Sequence, residues 1–107
     1  IKWSGSRNPV SKRTNESTSG VSAEAATAEL AAIRERILAE GGTEEAFSAH
    51  AQARSDCSSF KRGGDLGTFA AGKMQRAFEK GTRDCALGSM SGVLQSDSGF
   101  HLIWRYG

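Results

Sequence analysis

Ser55-Asp56-Cys57-Ser58-Ser59-Phe60-Lys61-Arg62-Gly63-Gly64-Asp65-Leu66-Gly67-Thr68-Phe69 is the most distinctive stretch of this chain. Ser55 to Ser59 reads as a polar turn with a thiol at its centre. Lys61-Arg62-Gly63-Gly64 reads as a flexible basic connector, because glycine admits backbone angles closed to other residues. Leu66 to Phe69 reads as a short strand. Taken alone, a thiol among hydroxyls suggests a nucleophile. The sequence on either side decides otherwise.

Upstream, Ala26, Leu30, Ile33 and Ile37 recur at helical spacing between Ser22 and Glu40. Ser22 is placed to cap this amphipathic helix and Gly41-Gly42 to end it. A shorter helix begins after Thr43, with Glu44 and Glu45 in its first turn, where negative charge suits the helix dipole. It carries Phe47, Ala51 and His50, and the histidine has no ligand partner at useful spacing. Before both helices, Ser4 to Gly20 is rich in Ser, Thr, Asn, Arg and Gly and holds the only proline, Pro9. It reads as a long, mobile polar loop, a feature often tied to function.

Downstream, Lys73 to about Arg83 reads as a helix with Met74 and Phe78 on one face. Val93 to Ser96, a turn at Asp97-Ser98-Gly99, and Phe100 to Tyr106 read as a hairpin. The order is helices, strand, helix, hairpin, which predicts a single α+β domain over residues 1–107 with a small sheet.

Composition narrows the function classes. The chain has 107 residues, 37% hydrophobic, and a net charge of +2. That charge is too small to argue for nucleic acid. No run of 18 apolar residues exists to span a membrane. Cys57 and Cys85 make no Cys-x-x-Cys, and neither His50 nor His101 stands at ligand spacing, so no metal is expected. No secretory leader is visible, so reduced thiols and a cytoplasmic or nuclear location are expected.

The ordered set of motifs is specific. Ser55-Asp56-Cys57-Ser58-Ser59, Gly64-Asp65-Leu66-Gly67-Thr68-Phe69, Met74, Phe78, Gly88-Ser89-Met90-Ser91-Gly92 and Asp97-Ser98-Gly99-Phe100-His101 resemble the parvulin family of peptidyl-prolyl cis/trans isomerases. The helix leading from Ala46-Phe47 into Ser55-Asp56 matches as well, so the likeness covers nearly the whole chain. It implies a small antiparallel four-stranded sheet flanked by about four helices. The family's first strand carries a histidine a few residues before the position of Lys2, and the chain opens after it at Ile1. The expectation is that several residues of that strand are omitted from this sequence. Ala77 and Val93 replace two prolines common in the family.

The resemblance also implies site roles. Leu66, Met74, Gln75 and Phe78 would form an apolar pocket for the proline ring. Cys57, His101, Ser96 and Ser59 would surround the rotating carbonyl. Other parvulins carry Asp at the Cys57 position, which favours electrostatic tuning over covalent attack. Ile1-Lys2-Trp3-Ser4-Gly5-Ser6-Arg7-Asn8-Pro9 is similar to the basic loop of the subgroup directed at phosphoserine- or phosphothreonine-proline bonds. Lys2 and Arg7 match two of its three basic positions, and Asn8 stands where a second arginine is common. Lys12 and Arg13 are candidates to compensate. The implied protein is a monomer without cofactor that acts on proline-containing peptides phosphorylated before the proline. Two other readings remain open: a binding module for such motifs with little catalysis, and a parvulin chaperone indifferent to phosphate.

Overall fold

The computed structural model describes residues 1–65 and 76–105, with backbone alone at 76–79. Three α-helices, α1 (Ala23–Ala39), α2 (Glu44–Arg54) and α3 (Arg76–Asp84), are joined by a 3-10 helix at Ser58–Arg62 between α2 and α3. Four short strands follow: β1 (Ser89–Met90), β2 (Leu94–Ser96), β3 (Gly99–His101) and β4 (Trp104–Arg105). The α+β class read from the sequence stands. The predicted strand at Leu66–Phe69, the start of the predicted helix at Lys73 and the end of the hairpin at Tyr106 lie outside the described residues.

The helix signals act as their chemistry requires. Ser22 Oγ accepts the Ala25 N–H at 3.0 Å, and Thr43 Oγ1 accepts the Ala46 N–H at 3.2 Å. Gly42, at φ +63°, turns the chain out of α1 and donates its N–H to Ile37 O at 2.8 Å. The buried stripe of α1 is Ala26, Leu30, Ile33 and Ile37, the four positions expected from spacing. Ala26 and Leu30 pack on Phe100, with Ile1, Trp3, Val21, Val93 and Leu102 around them. Trp3 tilts against Phe100 at a centroid distance of 5.4 Å, a favourable edge-biased geometry. On the second helix, His50 Nε2 sits 3.0 Å from Glu40 Oε2, a pair at the surface.

The expected single sheet is divided. Among the described residues, β1 pairs antiparallel with β4 and β2 with β3, as two separate two-stranded ladders. Ser91 explains the break. Its backbone N–H reaches Ile103 O at 2.8 Å, but the Ile103 N–H is taken by the Ser91 hydroxyl at 2.9 Å. A side chain therefore replaces a backbone acceptor where the ladders would join. Arg105 reaches back to the end of α3, where its Nη1 donates to Cys85 O at 3.2 Å.

The Ser4–Gly20 segment, expected as a mobile loop, is tied to itself and to its surroundings. Ser4 N–H donates to Val21 O, Thr18 N–H to Pro9 O and Ser11 N–H to Glu16 O, all at 2.7–2.9 Å. Composition signals a loop but says nothing of how its backbone groups are satisfied. The opening residues lie along β3: Phe100 N–H donates to Ile1 O at 3.0 Å, and the Ile1 amino group to Phe100 O at 2.6 Å. Residues 1–7 thus lie against the β2–β3 hairpin, since Arg7 N–H also reaches Asp97 O at 2.7 Å.

Candidate active site

The β2–β3 hairpin brings Ser96 and His101 onto one face, because Leu94 opposes His101 and Ser96 lies two residues along from Leu94. Ser96 Oγ and His101 Nε2 are 2.6 Å apart. The Ser98 N–H donates to the same Ser96 oxygen at 3.2 Å, which fits a hydroxyl proton directed at the imidazole. Burial of the ring, reinforced by the positive charge of the Ile1 amino group, lowers the His101 pKa from 6.5 to about 4. His101 is therefore neutral at neutral pH. Sequence reasoning named both residues but had no means to pair them.

A neutral buried histidine makes stability pH-dependent. The unfolded chain takes up the proton near pH 6.5 and the folded chain only near 4, so between these values the unfolded state binds more protons. Stability should fall on acidification across that window by on the order of 2 kcal/mol, after allowance for the partly exposed ring. Urea titrations at pH 7 and pH 4.5 check this, with His101→Gln as the comparison. An equal drop in that variant would remove His101 as the cause.

Cys57 lies three residues beyond the end of α2 and stands at the N-cap position of the 3-10 helix, where its backbone carbonyl, not its thiol, accepts the Phe60 N–H at 3.0 Å. Its thiol is exposed. Partial burial raises the pKa, but the Ser59 hydroxyl and N–H, the Ser58 hydroxyl and the charge of Lys2 outweigh it, and the net shift is downward. Ser59, expected beside the carbonyl, is buried and hydrogen-bonds to Cys57. It supports the thiol, while Cys57 faces outward.

Asp56 is the feature sequence reasoning missed. It lies in the quoted motif, yet only its burial shows its use, at 3% exposure. Its Oδ2 accepts the Lys2 N–H at 2.9 Å, and its Oδ1 accepts from Arg54 Nη1 at 3.1 Å. Its own backbone carbonyl accepts the Lys12 N–H at 2.8 Å. Burial pushes its pKa up. The Ser11 hydroxyl, the Lys2 N–H and the positive charges of Arg54 and the Ile1 amino group pull it down further, so it stays ionised. The basic segment is thereby fastened next to Cys57 at both Lys2 and Lys12.

Lys2 itself is half-buried, and its Nζ donates to Val10 O at 2.6 Å, which uses one of three ammonium donors. Arg7 is exposed beside the β2–β3 turn. Asn8 is exposed, and its carbonyl accepts the Val10 N–H. The Arg13 side chain carries a buried Nε with no hydrogen-bond partner. The structure therefore groups Lys2 with Cys57, and the Arg7 backbone with the hairpin that carries Ser96 and His101. Leu66, Met74 and Gln75 lie outside the described residues, and Phe78 lies on α3 with only its backbone described.

Comparison with known proteins gives the family. The rotamase family model, described as the PPIC-type PPIase domain, matches residues 11–105. The peptidyl-prolyl cis-trans isomerase ESS1 of Saccharomyces cerevisiae is 43% identical over 107 residues, covering 100% of this chain and 61% of its own length. The peptidyl-prolyl cis-trans isomerase Pin1 of Arabidopsis thaliana is 41% identical, covering 98% of this chain and 87% of its own length. The solution structure of TbPIN1 superposes with a TM-score of 0.86 at 44% identity over 100% of this chain and 90% of that one. ESS1 from Candida albicans gives 0.90 at 36% identity over 100% of this chain and 58% of that one. The chain spans about three fifths of the yeast relative's length. With a family model covering most of the sequence and relatives matching it end to end, the chain belongs to the PPIC-type peptidyl-prolyl isomerase family, the parvulin-type rotamases.

Proposed function

We propose that this chain, as a monomer, catalyses cis/trans isomerisation of peptide bonds preceding proline, with preference for a phosphorylated serine or threonine before the proline. The observation that carries the reading is the fastening of Lys2 beside Cys57 through the buried Asp56 carboxylate. It brings the Lys2 charge within electrostatic reach of the Cys57 thiol, one of the groups expected around the rotating bond. Membership in the isomerase family supports the reaction class.

Rotation about the peptide bond faces a barrier of about 18–20 kcal/mol from amide resonance. Catalysis requires tighter binding of the twisted amide than of either planar form. Twisting removes charge from the carbonyl oxygen, so an electron-rich group nearby favours the twisted state over the planar one. Cys57, with its thiol pKa lowered, suits that role. The neutral His101 and Ser96 would supply a hydrogen-bonded pair rather than a charge. Leu66, Met74, Gln75 and Phe78 complete the proposal as the proline pocket. No covalent step is required. Lys2 and Arg7 would take the phosphate, with arginine able to contact two oxygens at once. The two free thiols suit a reducing compartment, cytoplasm or nucleus.

The test is exchange spectroscopy on matched peptides with phosphoserine, glutamate or alanine before proline. The phosphopeptide should be turned over best. Arg7→Ala should cost it about tenfold in kcat/KM and leave the alanine peptide within about twofold. Equal catalysis of all three peptides would point to a chaperone-type parvulin. Tight phosphopeptide binding without faster exchange would point to a binding module.

A further inference from the structure

Glu29 has no place in the reading above and Arg54 enters it only as a partner of Asp56, yet together they connect α1 to the site. Arg54 is the last residue of α2, and Glu29 lies in the middle of α1. The Arg54 Nε donates to Glu29 Oε2, and its Nη2 donates to Glu29 Oε1 at 3.1 Å, a two-point contact. The remaining arm, Nη1, donates to Asp56 Oδ1 at 3.1 Å. Asp56 then turns its other oxygen to the Lys2 N–H at 2.9 Å. The guanidinium is planar and rigid, so fixing one edge on Glu29 fixes the direction of the other edge toward Asp56.

We infer that Glu29 and Arg54 are positioning residues, which clamp the Asp56 carboxylate and through it hold the Lys2 limb of the basic segment in its binding geometry. This rests on the reading of that segment as the phosphate site. The chain of contacts is continuous: α1 to α2 to Asp56 to the segment. Lys12 adds a second attachment, since its N–H also ends on residue 56. Helices α1 and α2 form the rigid frame, and the segment lacks regular structure of its own apart from the Val10–Ser17 bridge. Without the clamp, Asp56 keeps its bonds to Ser11 and Lys2 but is no longer held to the helical frame through its side chain. The binding limb then samples more positions before phosphate arrives, and the loss falls on ground-state binding.

The test is the paired substitution Glu29→Gln with Arg54→Met. It removes one negative and one positive charge, so the local field on the phosphate is unchanged in net charge and the clamp alone is lost. Two readouts are taken on the same protein. In the unliganded protein, hydrogen exchange at the Lys2 and Lys12 amides should speed up about tenfold, while the Ile103 amide keeps its wild-type rate. With phosphoserine-proline peptide, KM should rise about fivefold with kcat changed by less than twofold. Restoring Glu29 and placing Lys at 54 should recover part of the KM. Unchanged exchange at Lys2 and Lys12 overturns the clamp. So does an equal fall in kcat on phosphorylated and unphosphorylated peptides, which would mark a general loss of structure. If the wild-type protein gains nothing from phosphate, the phosphate reading fails, and amide exchange still decides whether the clamp holds the segment.

Discussion

Asp56→Ala should destabilise the fold by about 3–5 kcal/mol, the range for removing one partner of a buried ionic cluster. For a domain of this size that is a drop in Tm of roughly 12–25 °C. The reason is the number of groups left without an acceptor. The Lys2 N–H, the Ser11 hydroxyl and the inner arm of Arg54 all end on this carboxylate, which is 3% exposed. Water cannot replace the lost oxygens without opening the site, so each donor bears its desolvation cost unmade. Asp56→Asn keeps an acceptor for the Lys2 N–H but sets an amide or a neutral oxygen against Arg54, and should cost about half as much. Urea unfolding of both variants at pH 7 checks the ordering. A loss below about 1 kcal/mol for the alanine variant would mean that solvent already supports these groups. Acid should mimic the substitution. The carboxyl is held below its usual pKa, so its contribution is full above pH 3.8 and disappears as pH falls through the lower folded value.

Sequence patterns predicted the helices well because α1 and α2 carry local signals. Ser22, Thr43 and Gly42 each act within five residues of where they stand. The hairpin that carries Ser96 and His101 was legible, but the register that pairs them was not, since Gly99, expected in the turn, already pairs with Ser96. The role of Asp56 was not legible, because it depends on Lys2, Ser11, Lys12 and Arg54 meeting from both ends of the first half of the chain. Nothing in the residue type separates a buried carboxylate from a solvated one. The same holds for Ser4–Gly20, whose polar composition gave a loop but whose backbone bonds bind it firmly to the frame. The division of the sheet turned on one hydroxyl, Ser91 Oγ, competing for the Ile103 N–H. Long-range hydrogen bonds of this kind leave no periodic trace.

Gly99→Ala tests how the basic segment and the hairpin depend on each other. Gly99 closes the β2–β3 turn at φ +144°, a conformation other L-residues rarely adopt. Space is a second obstacle. An added Cβ would lie 2.5 Å from Ile1 O and 3.3 Å from Lys2 Cα. The first of these is a backbone carbonyl already fixed by the Phe100 N–H at 3.0 Å, so it cannot move without breaking the pairing of Ile1 with β3. The variant should lose about 2–4 kcal/mol from strain and displaced packing combined. Displacement of Ile1 carries Lys2 with it and draws its N–H away from Asp56. Phosphopeptide turnover should therefore fall by about tenfold or more in kcat/KM, and further than turnover of the alanine peptide. Gly20→Ala is the matched control: its Cβ would meet no atom within 4 Å, and it should stay within about 0.5 kcal/mol of wild type. Equal losses on both peptides would place the damage in the hairpin that bears Ser96 and His101. A selective loss on the phosphopeptide would place it at Lys2, which is the outcome expected if the hairpin serves as the bed for the segment proposed to bind phosphate.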